Sequence, residues 1–344
     1  MKIIFVGSSR WIDGESVVGR CRNLAAALTE SGLYQAAVIT LEELLRNDER
    51  AVAACEAADL LIFHRLMDER VIQVLPFWKA RGKKIIIDLD HPLPSADFRG
   101  ERMRRYTGWE IRDSAAEEKF RSGLRMADLI TASSQRLADD CTVYARSVYL
   151  PDYLDLNRYL TPRMEHPGEV WVGLPCEDEA SAFAFLPEMI AMLNEVGQLR
   201  PQVRFFVPHP GLSSEGFAGL EEPWFIPAAM TSLEEWPRLL SGLDVGLAPA
   251  DGSSGTRIGR RRVLEYMAAR VPWIASDVQP YHEFARYGWL VRNTPHEWRR
   301  AILEVVDHLE AYQEEAGGEA FLAALGQDVH ENIHAIATIY ASVI

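Results

Sequence analysis

The chain has 344 residues and a net charge of −14, with 48% hydrophobic and 25% charged residues. This length suits two domains of about 150 residues each, and the composition is ordinary globular, which excludes disordered and collagen-like classes. The acidic balance opposes general nucleic-acid binding, and no apolar run approaches the ~18 residues that span a bilayer.

The chain opens on Lys2–Val6, a short apolar run without a small-residue cleavage site, which reads as a first strand and not as a signal peptide. The loop "GSSRWIDGESVVGR" follows, leading to the first helix. Gly7 and Gly14 permit a tight turn there, and Arg10, Trp11, Asp13 and Arg20 are candidate ligand contacts. The loop is not a GxGxxG fingerprint, so no nicotinamide cofactor is expected. Further strands are predicted at Ala36–Thr40, Asp59–Phe63, Lys84–Asp88, Asp128–Ala132 and Ser147–Leu150.

The strand Lys84–Asp88 runs into "DLDHP", which makes Asp88, Asp90 and His91 the candidate catalytic residues. Carboxylates and an imidazole at a strand end can orient a substrate hydroxyl. Two ligand types on one loop are too few for a metal site, so none is expected. The plainer alternative is a strand-end turn capped by aspartate side chains. Beyond it, Arg99, Arg102, Arg104 and Arg105 could bind an anionic acceptor, although a solvated face explains them as well. His64, His209 and His282 lie near strand ends, where a lone histidine is more often structural than catalytic.

The segment Thr161–Gly168, "TPRMEHPG", has two prolines, a glycine and no periodicity, and reads as an inter-domain linker. After it come strands at Glu169–Gly173, Val203–Val207, Trp224–Pro227, Asp244–Ala248, Pro272–Ser276 and Gly288–Val291. Then follow a helix near His296–Tyr312, a turn "EEAGGE" and a final helix near Phe321–Ile344. Continuous apolar strands separated by helices predict parallel sheets covered on both faces. The expected class is α/β, with two doubly wound Rossmann-like domains facing a central cleft, residues 1–162 and 168–316, followed by residues 317–344. Cys21, Cys55, Cys141 and Cys176 show no CxxC spacing, which predicts reduced thiols and a cytoplasmic protein.

The stretch Asp244–Tyr281 is the richest in chemistry. The Gly/Ser loop "DGSSGTRIG" enters a helix at about Arg260–Ala269. Loop N–H groups and the positive end of a helix dipole favour a phosphate, with Gly255 and Thr256 on the loop. Arg257, Arg260, Arg261 and Arg262 add guanidinium forks suited to a diphosphate. A solvated basic helix face is the alternative. Glu265 sits at the edge of a buried stripe formed by Val263, Leu264, Met267 and Ala268. It can pair with Arg261 at i, i+4, or accept hydrogen bonds from both hydroxyls of a ribose.

The segment "RRRVLEYMAARVPWIASDVQPYHEF" resembles the helix-strand signature of GT-B glycosyltransferases, especially family 4. "LDVGLAP" before it, "GWLV" and "TPHEWRRAILEVV" after it, and "GKKIIIDLDHP", "ADLITASSQRLA" and "YLPDYLDLNRY" in the first half resemble their surroundings. The resemblance implies the GT-B fold and a metal-independent, retaining transfer from a nucleotide diphosphate sugar, such as a UDP- or GDP-sugar, with no further cofactor. It implies that residues 1–162 take the acceptor and 168–316 the donor, that residues 317–344 pack back on the first domain, that Glu265 binds the donor ribose, that Arg257 and Arg260–Arg262 contact the diphosphate, and that Gly173 lets backbone approach the donor. The acceptor would be a hydroxyl of a glycan, a lipid-linked molecule or a modified nucleobase. One position departs from the pattern: Arg257 stands where family-4 enzymes often carry a glutamate that contacts the transferred sugar. That keeps open a degenerate nucleotide- or sugar-binding module without turnover. A non-hydrolysing sugar-nucleotide epimerase would need other carboxylates and histidines, and a transferase acting on modified DNA bases would draw on the arginines at 99–105.

Overall fold

The computed structural model describes residues 1–7, 14–65, 69–93, 114–174, 186–209, 219–229, 235–250 and 255–344. It divides into two compact units. Unit 1 comprises Met1–Asp155, Arg257–Gly259 and Asp328–Ile344; unit 2 comprises Leu156–Thr256 and Arg260–Gln327.

Unit 1 carries a parallel sheet of β1 (Lys2–Gly7), β2 (Gln35–Thr40), β3 (Leu60–His64), β4 (Lys84–Leu89), β5 (Leu129–Ala132) and β6 (Ser147–Tyr149), in the order β2-β1-β3-β4-β5-β6. Successive side chains of β4 enter different cores. Ile85 and Ile87 pack with Trp78 and Phe120, whereas Ile86 packs with Leu24, Leu28, Ile336 and Tyr340. Burial on both faces is why such a strand reads as an unbroken apolar run. The strand order reverses direction between β1 and β3, which makes their carboxyl ends the switch point of this sheet.

Unit 2 carries β7 (Val170–Gly173), β8 (Val203–His209), β9 (Phe225–Ala229), β10 (Val245–Ala248), β11 (Trp273–Ser276) and β12 (Trp289–Val291), also parallel, in the order β12-β11-β10-β7-β8-β9. Its core joins Val172, Phe205, Val245, Leu247 and Ile274 to Met189 and Leu193 of the helix Leu186–Leu199 and to Trp298 and Ile302 of the helix Pro295–Asp307. The switch point falls between β7 and β10, paired through Val245↔Val172 and Gly246↔Gly173. All six strands expected in each half are present, within two residues at each end.

The sequence break at Thr161–Gly168 does not coincide with the division between units, which falls after Asp155. Chain composition marks where periodicity stops, whereas the division follows packing: Tyr159 is already buried in unit 2. The final helix is two helices, Phe321–Leu325 and Ile333–Ala341. Between them Asp328 forms a β-bridge with Leu154, and its side chain accepts from the His330 N–H at 2.7 Å. That local bond competes with helix continuation. Only Asp328–Ile344 belongs to unit 1. The expected turn "EEAGGE" remains helical through a π-type segment, Ala316–Ala320, kinked at Gly318.

Cys21, Cys55 and Cys141 are buried free thiols. Burial pushes Cys55 and Cys141 up to about 12, so both stay protonated and unreactive at neutral pH. Cys176 lies outside the described residues. No helix among the described residues is long and apolar enough to cross a membrane.

Candidate functional site

In unit 1 the carboxyl ends of adjacent parallel strands bring polar residues into register. His64 of β3 lies opposite Asp88 of β4, and Asp88 lies opposite Thr131 of β5. Asp88 is 2% exposed and accepts from four donor atoms: Arg20 Nε at 3.1 Å and Nη2 at 2.5 Å, His64 Nδ1 at 2.9 Å, and Thr131 Oγ1 at 2.6 Å. Burial alone would raise this carboxyl. The Arg20 charge and the hydrogen bonds from His64 and Arg20 outweigh it and hold the pKa well below the usual carboxylate range. An ionised carboxylate can only accept, so His64 presents Nδ1–H to it.

The other ring nitrogen of His64 lies 2.8 Å from Ser16 Oγ, and Ser16 in turn bonds Asp90. Arg65 grips Asp90 with two parallel bonds, Nε to Oδ1 at 2.5 Å and Nη2 to Oδ2 at 2.7 Å. Burial would raise Asp90 as well, but the charges of Arg65, His91 and His64 hold it well below its ordinary value. Arg65 adopts a left-handed backbone, φ 58°, which costs a non-glycine residue about 1–2 kcal/mol. The backbone bond from Arg65 N to Asp88 O at 2.7 Å and the guanidinium pair with Asp90 offset that cost. His91 is the partly exposed member. Its Nδ1 lies 2.8 Å from both Asp90 Oδ1 and Arg65 Nη2.

Asp88, Asp90 and His91 thus lie together at the carboxyl end of β4, beside β3 and the switch point of unit 1. With them are Ser16, Arg20, His64, Arg65 and Thr131, of which only Arg20 and His64 drew notice in the sequence. Pairing the predicted strand ends of a parallel sheet would have found His64 and Thr131 next to Asp88. Among the described residues no group of three or more His, Cys, Asp or Glu side chains is placed to hold a metal ion.

In unit 2 the helix Arg261–Ala268 follows β10 and carries Glu265. Glu265 lies inside the buried face and not at its edge, with no solvent exposure. Its carboxylate is the centre of a second cluster. Oε1 accepts from Tyr159 Oη at 2.9 Å and Arg261 Nε at 2.8 Å; Oε2 accepts from Trp236 Nε1 at 3.1 Å and Arg262 Nη1 at 2.9 Å. Helical side chains tilt toward the N-terminus, which lifts the Glu265 carboxylate to the arginines of the first turn. The Arg262 guanidinium also lies over the Trp236 ring, 4.8 Å from its centroid. The Arg261 pair was legible from i, i+4 spacing. Tyr159 and Trp236 come from 106 and 29 residues away and leave no local signal.

The remaining expected donor contacts scatter. Arg260 is 4% exposed, bonded to Glu283 and Gln327, and lies over the Phe284 ring. Arg257 groups with unit 1 and not with unit 2, and its Nε binds Asp140 Oδ2 at 2.5 Å. Gly259, in the same short segment, lies so close to Asp152 that a Cβ there would stand 1.9 Å from Oδ2. Gly255 begins the 3-10 turn Gly255–Arg257, which includes Thr256, and a Cβ on Gly255 would meet Val278 Cγ1 at 2.8 Å. Ahead of this turn, Ser276 Oγ accepts from Ala250 N at 2.8 Å, and Asn293 Nδ2 donates to Ala250 O at 2.6 Å. These two side chains fix the end of the β10 exit.

Gly7 ends β1, where a Cβ would touch Val17 Cγ1 at 3.1 Å. Gly173 has a packing reason to be glycine: a Cβ would stand 2.3 Å from Leu243 Cδ1. Gly173→Ala is therefore expected to destabilise by about 1–3 kcal/mol, and Leu243→Ala in the same chain should recover part of that loss in urea unfolding. Arg10, Trp11 and Asp13, the arginines at 99, 102, 104 and 105, and the loop at 251–254 lie outside the described residues.

No known family's sequence model matches the chain, and no curated protein does. Solved structures match over its full length. Sucrose-phosphate synthase from Thermosynechococcus elongatus is 14% identical, with a TM-score of 0.71 over 100% of this chain and 99% of that one. HepE from Anabaena in complex with UDP-glucose is 15% identical, with a TM-score of 0.67 over 100% of both chains. Trehalose-phosphate synthase (UDP-forming) from Burkholderia vietnamiensis is 12% identical, with a TM-score of 0.63 over 99% of both chains, and a protein from Listeria monocytogenes described as a candidate UDP-N-acetylglucosamine 2-epimerase is 11% identical, with a TM-score of 0.58 over 99% of this chain and 96% of that one. Matches at 11–15% identity show the fold alone, and the chemistry must be argued from the site. With two six-stranded parallel sheets, each helix-covered, and full-length matches to these structures, the chain has the GT-B fold.

Proposed function

We propose that this chain is a glycosyltransferase that moves a sugar from a nucleotide diphosphate sugar to an acceptor hydroxyl. The observation that carries this reading is the carboxylate of Glu265 flanked by Arg261 and Arg262 on the first turns of the helix after β10. It combines a two-oxygen acceptor for a ribose diol, guanidinium forks for a diphosphate and a helix N-terminus in one place. The similar HepE structure holds UDP-glucose, which favours a uridine nucleotide donor.

In the reaction the bond from the anomeric carbon to the diphosphate oxygen breaks, a bond from that carbon to the acceptor oxygen forms, and the hydroxyl proton passes to the departing diphosphate. The arginines neutralise the departing diphosphate, so this reading requires no metal ion. The resemblance to family 4 favours retention of configuration. In unit 1, Asp90 and His91 are the groups proposed to orient the acceptor hydroxyl, held in place by Arg65 and Ser16. Arg257, tied to Asp140, favours a second reading, a nucleotide-binding module without turnover, because no carboxylate stands there to meet the sugar.

Thermal unfolding in the presence of UDP, GDP, ADP or dTDP tests the proposal. One nucleotide at 100 times its Kd should stabilise the chain by about 2.7 kcal/mol, and Glu265→Gln should remove most of that shift. Sugar release from the matching nucleotide sugar then separates a transferase from a module. If none of the four nucleotides stabilises the chain, the reading fails.

A further inference from the structure

We propose that Arg261 and Arg262 form a latch on Glu265 that the diphosphate of a nucleotide releases, so that the ribose and diphosphate portions of one ligand bind only cooperatively. This rests on the reading of unit 2 as a nucleotide-sugar site.

A carboxylate offers about four lone-pair positions, and all four of Glu265 are taken by Tyr159, Trp236, Arg261 and Arg262. A ribose diol cannot be added to this carboxylate; two donors must leave first. The four are not equally free to go. Tyr159 is 5% exposed and Trp236 is 3% exposed, and each is part of its own short helical turn. The arginine side chains are 12% exposed, carry long flexible stems, and spring from the first two residues of the helix. The arginines are therefore the donors that move, and Tyr159 and Trp236 are the positioning residues that keep the carboxylate aimed.

Removing two cations from a buried carboxylate is strongly unfavourable unless something replaces them and something receives them. A diol replaces two hydrogen bonds and no charge. A diphosphate receives two guanidiniums through charge-assisted bonds. A nucleoside alone opens the latch against the full ion-pair attraction. A diphosphate alone draws the arginines away and strands Glu265 with half its donors. Only both together satisfy every group, and the coupling must be reciprocal. The latch thus discriminates against nucleosides through contacts within the protein itself. A ligand without phosphates meets a carboxylate that is already fully occupied.

Calorimetric titration of the wild-type full chain tests this without any variant. The probes are inorganic pyrophosphate, the free nucleoside of whichever diphosphate stabilises the chain most (uridine, if that is UDP), each in the presence of the other, and the nucleoside diphosphate itself. The expected result is weak binding of each fragment alone and at least a tenfold gain in the affinity of each when the other is saturating. In Arg261→Met/Arg262→Met the tenfold factor should fall toward one, and the free nucleoside should bind more tightly than it does to the wild type. Independent binding of the two fragments to the wild type, within twofold, overturns the latch while binding of the nucleoside diphosphate leaves the donor-site reading intact. If no nucleoside diphosphate binds, the donor-site reading fails and the latch falls with it.

Discussion

Asp88→Ala is expected to destabilise unit 1 by about 3–5 kcal/mol, because it leaves the Arg20 guanidinium buried without its main counter-charge. A loss of that size lowers the unfolding temperature by on the order of 10 °C, readable by calorimetry. Arg20 is 3% exposed, and its other partners include the Leu150 carbonyl at 2.7 Å, the Pro151 carbonyl at 3.4 Å and Asp152 at 3.5 Å, which do not replace a bidentate carboxylate. Thr131→Val removes one neutral donor from the same carboxylate and should cost only about 1 kcal/mol. The contrast separates charge from hydrogen bonding. The same carboxyls set an acid limit. The Asp88 and Asp90 pKa values are depressed in the folded chain, so the unfolded chain takes up protons first as pH falls. Their stabilisation is complete above the unfolded carboxylate value of about 4 and is lost as pH drops from there toward the folded values. Urea midpoints measured from pH 7 down to pH 3 should fall most steeply below about pH 4, and less steeply in Asp88→Ala. A wild-type midpoint that stays flat to pH 3 would contradict this account.

The second large effect lies in unit 2. Glu265→Leu removes the shared acceptor of Arg261, Arg262, Tyr159 and Trp236, and leaves four donors around an apolar side chain. The expected loss is again about 3–5 kcal/mol, now in the unfolding of unit 2. Glu265→Gln keeps the shape and one acceptor oxygen, so a smaller loss of about 1–3 kcal/mol is expected. Circular dichroism melting of both variants checks the order. Equal losses in the two would show that the carboxylate charge, and not the hydrogen bonds, carries the cluster. This gap also makes Glu265→Gln the better variant for nucleotide binding, since the chain can be studied folded.

The fold was legible because parallel strands buried on both faces must be apolar along their whole length. Ile85, Ile86 and Ile87 serve different cores yet look alike in sequence. What could not be read was anything that depends on tertiary partners. Glu265 was placed at the edge of a stripe because helical spacing counts only its neighbours on the helix. Tyr159 and Trp236, which bury it, come from other elements. The four arginines looked like one cluster aimed at a diphosphate, but each found a different carboxylate or shared one: Asp140, Glu283 and Glu265. Proximity in sequence fixed their charge density and left their directions open. Strand-end position marks Asp88, Asp90 and His91 in the sequence, but their contacts with Ser16 and Arg20 on the helical stretch after β1, with His64 and Arg65 at the end of β3 and with Thr131 on β5 depend on tertiary packing.

The register that sets His64, Asp88 and Thr131 side by side also shapes how this chain can change over generations. Loss of Asp88 strands the buried Arg20 guanidinium, and loss of Arg20 strands the buried carboxylate, so neutral drift at this pair is blocked one step at a time. The Arg20–Asp88 pair can be exchanged for apolar side chains only together. Such a double replacement is expected to be far less harmful than the sum of its two single steps. Variation among descendants of this chain should therefore arrive at these sites in correlated pairs, while the exposed helix faces change residue by residue.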